Sequence, residues 1–290
     1  ETCKSMLYAA TYGQGLWKSD LKAPVNSPPV ACFSSSVNNI CGAETIELID
    51  NSIFTVSTWS WSIAPSTFIY SAGTNSNSQN PKIQFTAPGS YSVQLIVGGS
   101  MGGDTLLKNN FIIVEEFFPT CNFNEDFESD TLCSEANDCG LSVCPLSGYW
   151  TNLVNDSHDD IDWRVDNGGT VSNGTGPSTD YNPGTTSGNY LYLEASGGCT
   201  GQTAILESQC VFLEQDYLIK IAYHMFGNAM GNLHFDIFFE GAWIEDIYPP
   251  LSGDNGDLWQ QVSIDLSAYT GQYIKLRIRG VTGPGFDSDM

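Results

Sequence analysis

The chain has 290 residues, of which 33 are acidic and 10 are basic, so its formal net charge is −23. A charge of this sign repels nucleic-acid phosphates and anionic membrane surfaces, which argues against both as partners. Hydrophobic residues make up 41% of the chain, and no apolar run approaches the roughly 18 residues of a membrane span. The sequence therefore predicts globular domains without direct membrane insertion.

The first 22 residues contain two short apolar stretches separated by Gly13, Gln14 and Gly15. The run MLYAATYGQGLWKS resembles the closing strands of a β-propeller blade of the sialidase-repeat or sortilin-like kind. The resemblance implies that residues 1–22 end a propeller that lies upstream, because a single blade cannot bury its own apolar face. A short hairpin with glycines at its turn explains the same residues equally well. No signal peptide starts at Glu1, so we expect an internal fragment.

A Pro-rich linker over residues 23–29 precedes a predicted β-sandwich over residues 30–116. Its short strands are predicted over residues 45–49, 56–63, 90–97 and 110–114. The five residues 98–102, Gly-Gly-Ser-Met-Gly, match the Gly-x-Ser-x-Gly nucleophile motif. That motif requires a strand-to-helix turn, whereas a strand is predicted after residue 102. We therefore predict a hairpin turn there and no catalytic serine.

Three short motifs in this sandwich resemble the PKD domain, an immunoglobulin-like fold. They are Trp59-Ser60-Trp61, Asn80-Pro81 and Gly89-Ser90-Tyr91. The resemblance implies that a central Trp packs between the two sheets and that the Gly-x-Tyr strand crosses the core. Ile63-Ala64-Pro65 departs from the Gly-Asp-Gly turn of many relatives, so the domain is similar to a divergent subtype common in large bacterial surface proteins.

Residues 121–290 resemble the MAM domain, a jelly-roll sandwich of secreted and cell-surface proteins. The matching positions are Asp159, Asp160, Asp162, Trp163, Gly176, Pro177, Asp180, Gly188, Tyr190 and Leu191. In the family a last strand follows the position of Asp289, whereas this chain stops at Met290, so we expect a C-terminally incomplete domain. An assembly partner is one candidate to complete the last strand. The fold class is accordingly all-β, an immunoglobulin-like (PKD) sandwich followed by a MAM-type jelly roll.

Nine cysteines occur without any Cys-x-x-Cys pair, which favours disulfides over a zinc or thioredoxin-like site. Short spacings suggest the pairs Cys32–Cys41, Cys121–Cys133, Cys139–Cys144 and Cys199–Cys210, which leaves Cys3 over. The MAM resemblance also implies Cys121–Cys133. Spacing alone does not fix the connectivity, so other pairings stay open.

Calcium is the one cofactor that the sequence predicts, as a structural ion. Ca²⁺ takes six to eight oxygen ligands, and the acidic loops of residues 121–290 could supply them. Related jelly rolls often hold a cation near the opening Phe-Glu strand, and this resemblance implies the candidates Asp126, Glu128, Asp160, Asp162 and Asp180. Asp126 and Glu128 would share one face of a strand. Solubility alone explains the same acidic residues.

Exposed aromatic residues are the predicted contacts for a partner protein or glycan. Trp163 and Trp259 lie beside alternating apolar residues, which predicts that both are buried. Trp243 and Tyr248, beside Pro249-Pro250, are the predicted exposed pair. Ligand contact is therefore assigned to Trp243 and Tyr248.

No catalytic arrangement is found, since the three histidines lack an HExxH motif and a nucleophile partner. We predict non-catalytic adhesion, recognition and spacing by a secreted or cell-surface protein. The domain order resembles that of bacterial type IX secretion substrates, which implies the outer surface of a Gram-negative bacterium. Two alternatives stay open: accessory domains of an extracellular hydrolase whose catalytic unit lies outside this chain, and a subunit of a cell-surface assembly.

Overall fold

The structure is a computed structural model that describes residues 27–121, 124–133 and 144–290, together with the backbone of two strands near the N-terminus. The chain folds into two compact units, Glu1–Glu116 (unit 1) and Phe117–Met290 (unit 2). In these described residues the regular elements are β-strands, apart from one 3₁₀ turn at Ser267–Tyr269. Within the described residues, no helix has the length and apolar character needed to cross a membrane.

The N-terminal segment forms a hairpin in which strand β1 (Met6–Thr11) pairs antiparallel with strand β2 (Gly15–Asp20). Residues 12–14, which contain two of the predicted turn residues, lie outside the described part of the chain. The end of a propeller blade and an isolated hairpin, the two interpretations of these residues, both contain this pairing. The upstream propeller therefore stays a prediction.

The rest of unit 1 is a sandwich of two four-stranded sheets. Its strands are β3 (Phe33–Ser35), β4 (Asn39–Cys41), β5 (Thr45–Asp50), β6 (Thr58–Ala64), β7 (Phe68–Ser71), β8 (Lys82–Phe85), β9 (Gly89–Gly99) and β10 (Gly102–Glu115). One sheet has the order β3-β5-β8-β7 and the other β4-β10-β9-β6. Only the β4–β10 pairing among these is parallel. The two sheets bury the apolar face of each strand against one another.

The core of unit 1 is built around Trp61 and Tyr91, both buried. The Trp61 ring makes an edge contact with Phe33 at 5.2 Å between ring centroids, and its indole N–H donates to the Ser78 carbonyl at 2.9 Å. Phe33 belongs to the opposite sheet. Packing of a Trp between the sheets, which the PKD resemblance implied, is confirmed at Trp61, while membership in the PKD family stays a prediction.

The hairpin predicted at residues 98–102 is confirmed. Gly99 at the end of β9 pairs with Gly102 at the start of β10, which leaves Ser100 and Met101 as a two-residue loop. No helix follows Ser100, so its hydroxyl does not lie on a nucleophile elbow.

Unit 2 is a β-sandwich, with eleven strands in its described residues. They are β11 (Phe117–Phe118), β12 (Trp150–Asn152), β13 (Arg164–Asn167), β14 (Asn189–Tyr192), β15 (Thr203–Ser208), β16 (Cys210–Phe212), β17 (Leu218–Tyr223), β18 (Asn232–Phe239), β19 (Ala242–Ser252), β20 (Gln260–Asp265) and β21 (Tyr273–Val281). The main sheet follows the order β11-β16-β21-β15-β12, and β18 pairs with both β19 and β21. The pairs β13–β14 and β17–β20 form two further antiparallel sheets of two strands each.

The core of unit 2 lies between the main sheet and the β17–β20 pair. Leu206, Phe235 and Leu276 contribute from the main sheet, and Val262 and Ile264 contribute from β20. The apolar residues alternate with polar ones along these strands, which is the pattern of a sheet with one buried face. An internal cavity of about 10 Å³ between these layers has the size of one water molecule.

The disulfides differ from the predicted pairing around residue 133. Cys133 is bonded to Cys144, so the predicted pairs Cys121–Cys133 and Cys139–Cys144 are wrong. The two bonded cysteines flank residues 134–143, so the bond closes that segment; Cys139 lies outside the described residues. Cys121 is buried, and its N–H donates to Glu214 Oε2 at 3.2 Å. Cys3 also lies outside the described residues.

Four other cysteines are also disulfide-bonded, Cys32 and Cys41 in unit 1 and Cys199 and Cys210 in unit 2. All four were predicted to form disulfides, and all four are buried. The six bonded cysteines suit an oxidising compartment.

Candidate binding surface of unit 2

Two of the predicted calcium ligands lie in the segment that opens unit 2. Asp126 and Glu128 are exposed, and the segment around them is not a strand, since Phe127 has a φ of 58°. The predicted projection of both side chains from one face of a strand is therefore wrong. Glu128 Oε1 instead accepts the Asn189 N–H at 2.8 Å, and Asp126 Oδ1 accepts the Glu128 N–H at 3.2 Å.

The other three predicted ligands bind the backbone of different segments or are buried without a donor. Asp160 Oδ2 accepts the Thr203 N–H at 3.0 Å, and Asp180 Oδ1 accepts the Thr185 N–H at 2.5 Å. Asp162 is buried, and neither of its carboxylate oxygens accepts a hydrogen bond from the described residues. Burial raises the pKa of Asp162, opposed by the nearby Arg164 guanidinium.

These five carboxylates do not converge on one point. In the described part of the chain, no three His, Cys, Asp or Glu side chains are grouped so that they could hold a metal ion. Glu128 accepts a hydrogen bond from the first residue of β14, Asn189, and Asp126 binds the backbone of Glu128, whereas Asp160 and Asp180 fix separate loops. The calcium ion therefore stays a prediction for which the geometry offers no complete ligand set.

A second group of carboxylates, which the sequence did not single out, is buried near the C-terminal segment. Glu194 and Asp289 are fully buried. Asp289 Oδ1 accepts the Ala195 N–H at 3.1 Å, and its own N–H donates to Thr175 Oγ1 at 2.9 Å. Burial, followed by the charge of Glu194, raises the pKa of Asp289 to about 7. The Asp289 carboxyl group therefore retains its proton well above the ordinary range for aspartate.

Three basic side chains project from alternate positions of β21 and are neutralised by acids of the same sheet. Arg277 Nε and Arg279 Nε both donate to Asp236 Oδ2, at 2.7 Å and 2.5 Å. Lys275 Nζ lies 2.7 Å from Glu207 Oε2. Asp236 is fully buried; burial alone would raise its pKa, but hydrogen bonds from Arg279, the Asp246 N–H and Arg277 hold that pKa below its usual range.

The predicted contact residues Trp243 and Tyr248 lie on β19 next to this ion-pair network, and both are half-buried. The Trp243 ring covers the Arg277 guanidinium at 4.2 Å and makes an edge contact with Phe238 at 5.4 Å. Tyr248 packs against the core and lies 6.3 Å from Phe235. Much of both rings is therefore occupied by packing within the unit, so the pair is half-buried and not exposed as expected, and its assignment as the ligand contact stays a prediction.

An exposed aromatic group lies instead where the loop 179–187 meets the loop 253–259. The Tyr181 side chain is 48% exposed, and its ring meets the half-buried Trp259 ring at 6.1 Å with an interplanar angle of 67°. The Trp259 indole N–H donates to the Thr179 carbonyl at 2.7 Å, which ties the two loops together. Trp259 also packs against Tyr190 at 6.0 Å, so its predicted burial holds only in part.

A carboxylate adjoins these rings. Asp257 Oδ1 lies 3.2 Å from Nε2 of His224, whose own ring is 5.5 Å from Trp259. The Asp257 side chain is 62% exposed, whereas the His224 side chain is buried. Burial lowers the pKa of His224, with Asp257 opposing the shift. Tyr181, His224, Asp257 and Trp259 together are called the aromatic–acidic site.

The surface around this site is strongly acidic. Residues 121–290 contain 25 acidic and five basic side chains. Arg164 is buried, and Lys275, Arg277 and Arg279 are nearly buried in ion pairs, so Lys220 is the one exposed base of unit 2, whose five bases the structure all describes. The structure thus uses basic side chains internally and leaves most of the negative charge at the surface.

The fold and this surface define the chain as an all-β pair of β-sandwich units, the second of which presents loops with exposed aromatic and acidic side chains. The family described as MAM domain, meprin/A5/mu, matches residues 125–290. The chain belongs to the MAM domain family.

Curated relatives share this part of the chain. MAM domain-containing glycosylphosphatidylinositol anchor protein 1 of Homo sapiens is 30% identical over 176 residues, which are 58% of this chain and 18% of that protein. Neuropilin-1a of Danio rerio is 31% identical over 102 residues, 34% of this chain and 11% of that protein. The chain thus spans less than a fifth of the length of these relatives.

A solved structure described as carbohydrate-binding modules from the β-sandwich superfamily aligns with 92% of this chain and 96% of its own, at 16% identity and a TM-score of 0.29. The secreted serine protease VesC from Vibrio cholerae aligns with 89% of this chain and 48% of its own, at 12% identity and the same TM-score. Similarity at this level has no functional implication for the chain.

Proposed function

We propose that this chain is a non-catalytic extracellular recognition module that binds a protein or glycan at a cell surface through unit 2. The aromatic–acidic site is the observation that carries the proposal, because it exposes a ring and a carboxylate on loops of a MAM-family sandwich. Aromatic side chains in such positions are the usual anchors of protein interfaces.

Unit 1 and the N-terminal hairpin serve in this proposal as spacers. The PKD-like sandwich would hold unit 2 away from an upstream propeller, as in the exported bacterial proteins whose domain order the sequence resembles. The disulfides support an exported protein, because bonded cysteines persist in oxidising compartments. Mass analysis of the natively isolated protein, reduced and unreduced, with peptide mapping beyond Glu1 and Met290, tests this arrangement.

Two measurements separate the proposed adhesive role from an accessory role beside a hydrolase. Self-association in sedimentation velocity would favour adhesion or assembly, and saturable binding to a glycan array would favour a targeting role. For each, the Tyr181→Ser chain is compared with the parent, because this side chain is exposed and its loss leaves the core intact. The proposal would be contradicted if the chain did not self-associate and bound neither glycans nor intact cells.

A further inference from the structure

We propose that the aromatic–acidic site takes a lysine or arginine side chain from a basic partner protein. The inference rests on the proposed function, since it names the chemistry of the partner that unit 2 recognises. It is argued from the arrangement of two rings, from one fixed carboxylate and from the charge of the surrounding surface.

The two rings meet edge to face, and the exposed Tyr181 ring offers a surface to a cation. Tyr181 and Trp259 meet at 67° with their centroids 6.1 Å apart, so their planes are steeply inclined to each other. A cation within about 6 Å of a ring centroid is attracted by the electron-rich face, most strongly by Trp. The same contact already occurs within unit 2, where the Trp243 ring covers Arg277 at 4.2 Å.

Asp257 supplies the opposite charge. Its Oδ1 is fixed 3.2 Å from the buried Nε2 of His224, while 62% of its side chain remains open to solvent. His224 is therefore a positioning residue that orients the carboxylate without covering it. A guanidinium or ammonium group that stacks on the rings can pair with this carboxylate, and a charge-assisted hydrogen bond is about twice as strong as a neutral one.

The site is ordered before any ligand binds. The Trp259 indole bond to the Thr179 carbonyl joins the two loops, and the Asn255 N–H donates to the Met225 carbonyl at 2.7 Å. Asp180 Oδ1 holds the Thr185 N–H at 2.5 Å and so closes the loop that carries Tyr181. Loops fixed in this way lose little conformational entropy on binding.

The negative charge of unit 2 favours a basic side chain over an anionic or neutral glycan as the ligand of this site. Residues 121–290 carry five basic and 25 acidic side chains, and four of the five bases are buried or nearly buried. A field of this sign attracts basic proteins and repels sulfated or phosphorylated glycans. A neutral glycan could stack on Tyr181 but would gain nothing from the field, so the basic side chain is the favoured occupant.

The test is titration of the full chain with the peptide acetyl-Gly-Arg-Gly-Arg-Gly-amide and with its citrulline counterpart, which has the same shape without the charge. Isothermal titration calorimetry at fixed ionic strength measures both. We expect the arginine peptide to bind more tightly, and Tyr181→Ser and Asp257→Asn each to weaken it about 2- to 30-fold. Glu240→Gln is the matched control, because it removes an exposed acid from the β18–β19 turn. It should change the affinity less than 2-fold, since it only lowers the overall negative charge by one.

Three results would overturn the site. They are equal affinity for the two peptides, equal effects of Asp257→Asn and Glu240→Gln, or binding of a neutral oligosaccharide that depends on Tyr181 while the arginine peptide does not bind. Circular dichroism of each variant verifies folding. If the site fails while the chain still binds cells, the proposed function stands; if cell binding is absent, the proposed function itself fails.

Discussion

Asp289 is buried beside Glu194, and the protonation of Asp289 links the stability of unit 2 to pH. The pKa of Asp289 is raised from 3.8 to about 7, first by burial and then by the charge of Glu194. The folded protein therefore binds more protons than the unfolded chain between these pH values. The stability that this proton provides is full below about pH 4 and is lost as the pH rises to about 7.

Asp289→Asn should remove this loss, because the amide has no charge and keeps the oxygen that accepts the Ala195 N–H. We expect the variant to be more stable than the parent by about 1–2 kcal/mol at pH 8 and to differ little at pH 4.5. Urea denaturation at both pH values measures the difference, with Glu240→Gln as the exposed control. An equal difference at the two pH values would contradict the assignment.

Asp159 shows the same behaviour at a second position, since burial raises its pKa to about 7. His224 acts in the opposite direction, because burial lowers its pKa and the unfolded chain then binds more protons below about pH 6.5. The pH dependence that remains in Asp289→Asn should therefore be smaller than that of the parent but not absent.

Asp236 is the residue on which the basic row of β21 depends. Its carboxylate is fully buried and accepts hydrogen bonds from Arg277 and Arg279. Asp236→Ala should destabilise unit 2 by about 3–5 kcal/mol, because it leaves two nearly buried guanidinium groups without their main partner. Glu245→Gln is the matched control: Glu245 pairs with the same arginines but is 63% exposed, so its loss should cost about 1 kcal/mol or less. Equal losses in denaturant unfolding would contradict this.

At the scale of elements, the strands with one buried face could be predicted from the sequence. The prediction of 90–97 lies within β9, because Tyr91, Val93 and Leu95 are buried and alternate with more exposed residues. A strand was also predicted after residue 102, and β10 begins at Gly102; the strand range 110–114 given for the sandwich covers only the end of β10. Most side chains of residues 102–110 are exposed on both faces of the strand. This part of β10 is held by backbone pairing with β9, so its sequence shows no alternation of apolar and polar residues.

Long-range contacts explain why the candidate site was not predicted. Trp259 and Thr179 are 80 residues apart, and only the fold brings them together. Tyr181 lies in an Asn-Pro-Gly-Thr loop whose composition indicates exposure. No local sequence pattern indicates that its ring contacts Trp259. The carboxylate count likewise predicted calcium without indicating that Asp160 and Asp180 would be used to fix loops.

The start of β18 runs close to the segment that follows β21. A Cβ atom at Gly231 would overlap the Val281 carbonyl oxygen, and backbone atoms surround it on that side. Gly231→Ala should therefore destabilise unit 2 by more than about 2 kcal/mol, since backbone must move to make room. Gly169→Ala is the control, because its nearest neighbour would be the Pro177 carbonyl oxygen at 3.9 Å. Similar melting temperatures for the two variants would contradict the close approach.

At the scale of the whole molecule, the chain consists of two units with separate cores. Each unit buries its own aromatic and aliphatic residues, around Tyr91 in unit 1 and around Phe235 in unit 2. Domains of this kind unfold as separate cooperative units. Differential scanning calorimetry should therefore show two transitions, and Asp236→Ala should move only one of them. A single transition that shifts as a whole in this variant would contradict the division.

The central claim is that unit 2 recognises a cell-surface partner through the aromatic–acidic site. The most direct measurement is saturable binding of the fluorescently labelled full chain to a panel of intact bacterial and animal cells, before and after protease treatment of the cells. We predict that binding is lost after protease treatment of the cells. The double variant Tyr181→Ser, Asp257→Asn should bind at least about 10-fold more weakly than the parent chain, and Glu240→Gln should bind nearly as well as the parent chain. Absence of saturable binding, or equal binding by all variants, would contradict the claim.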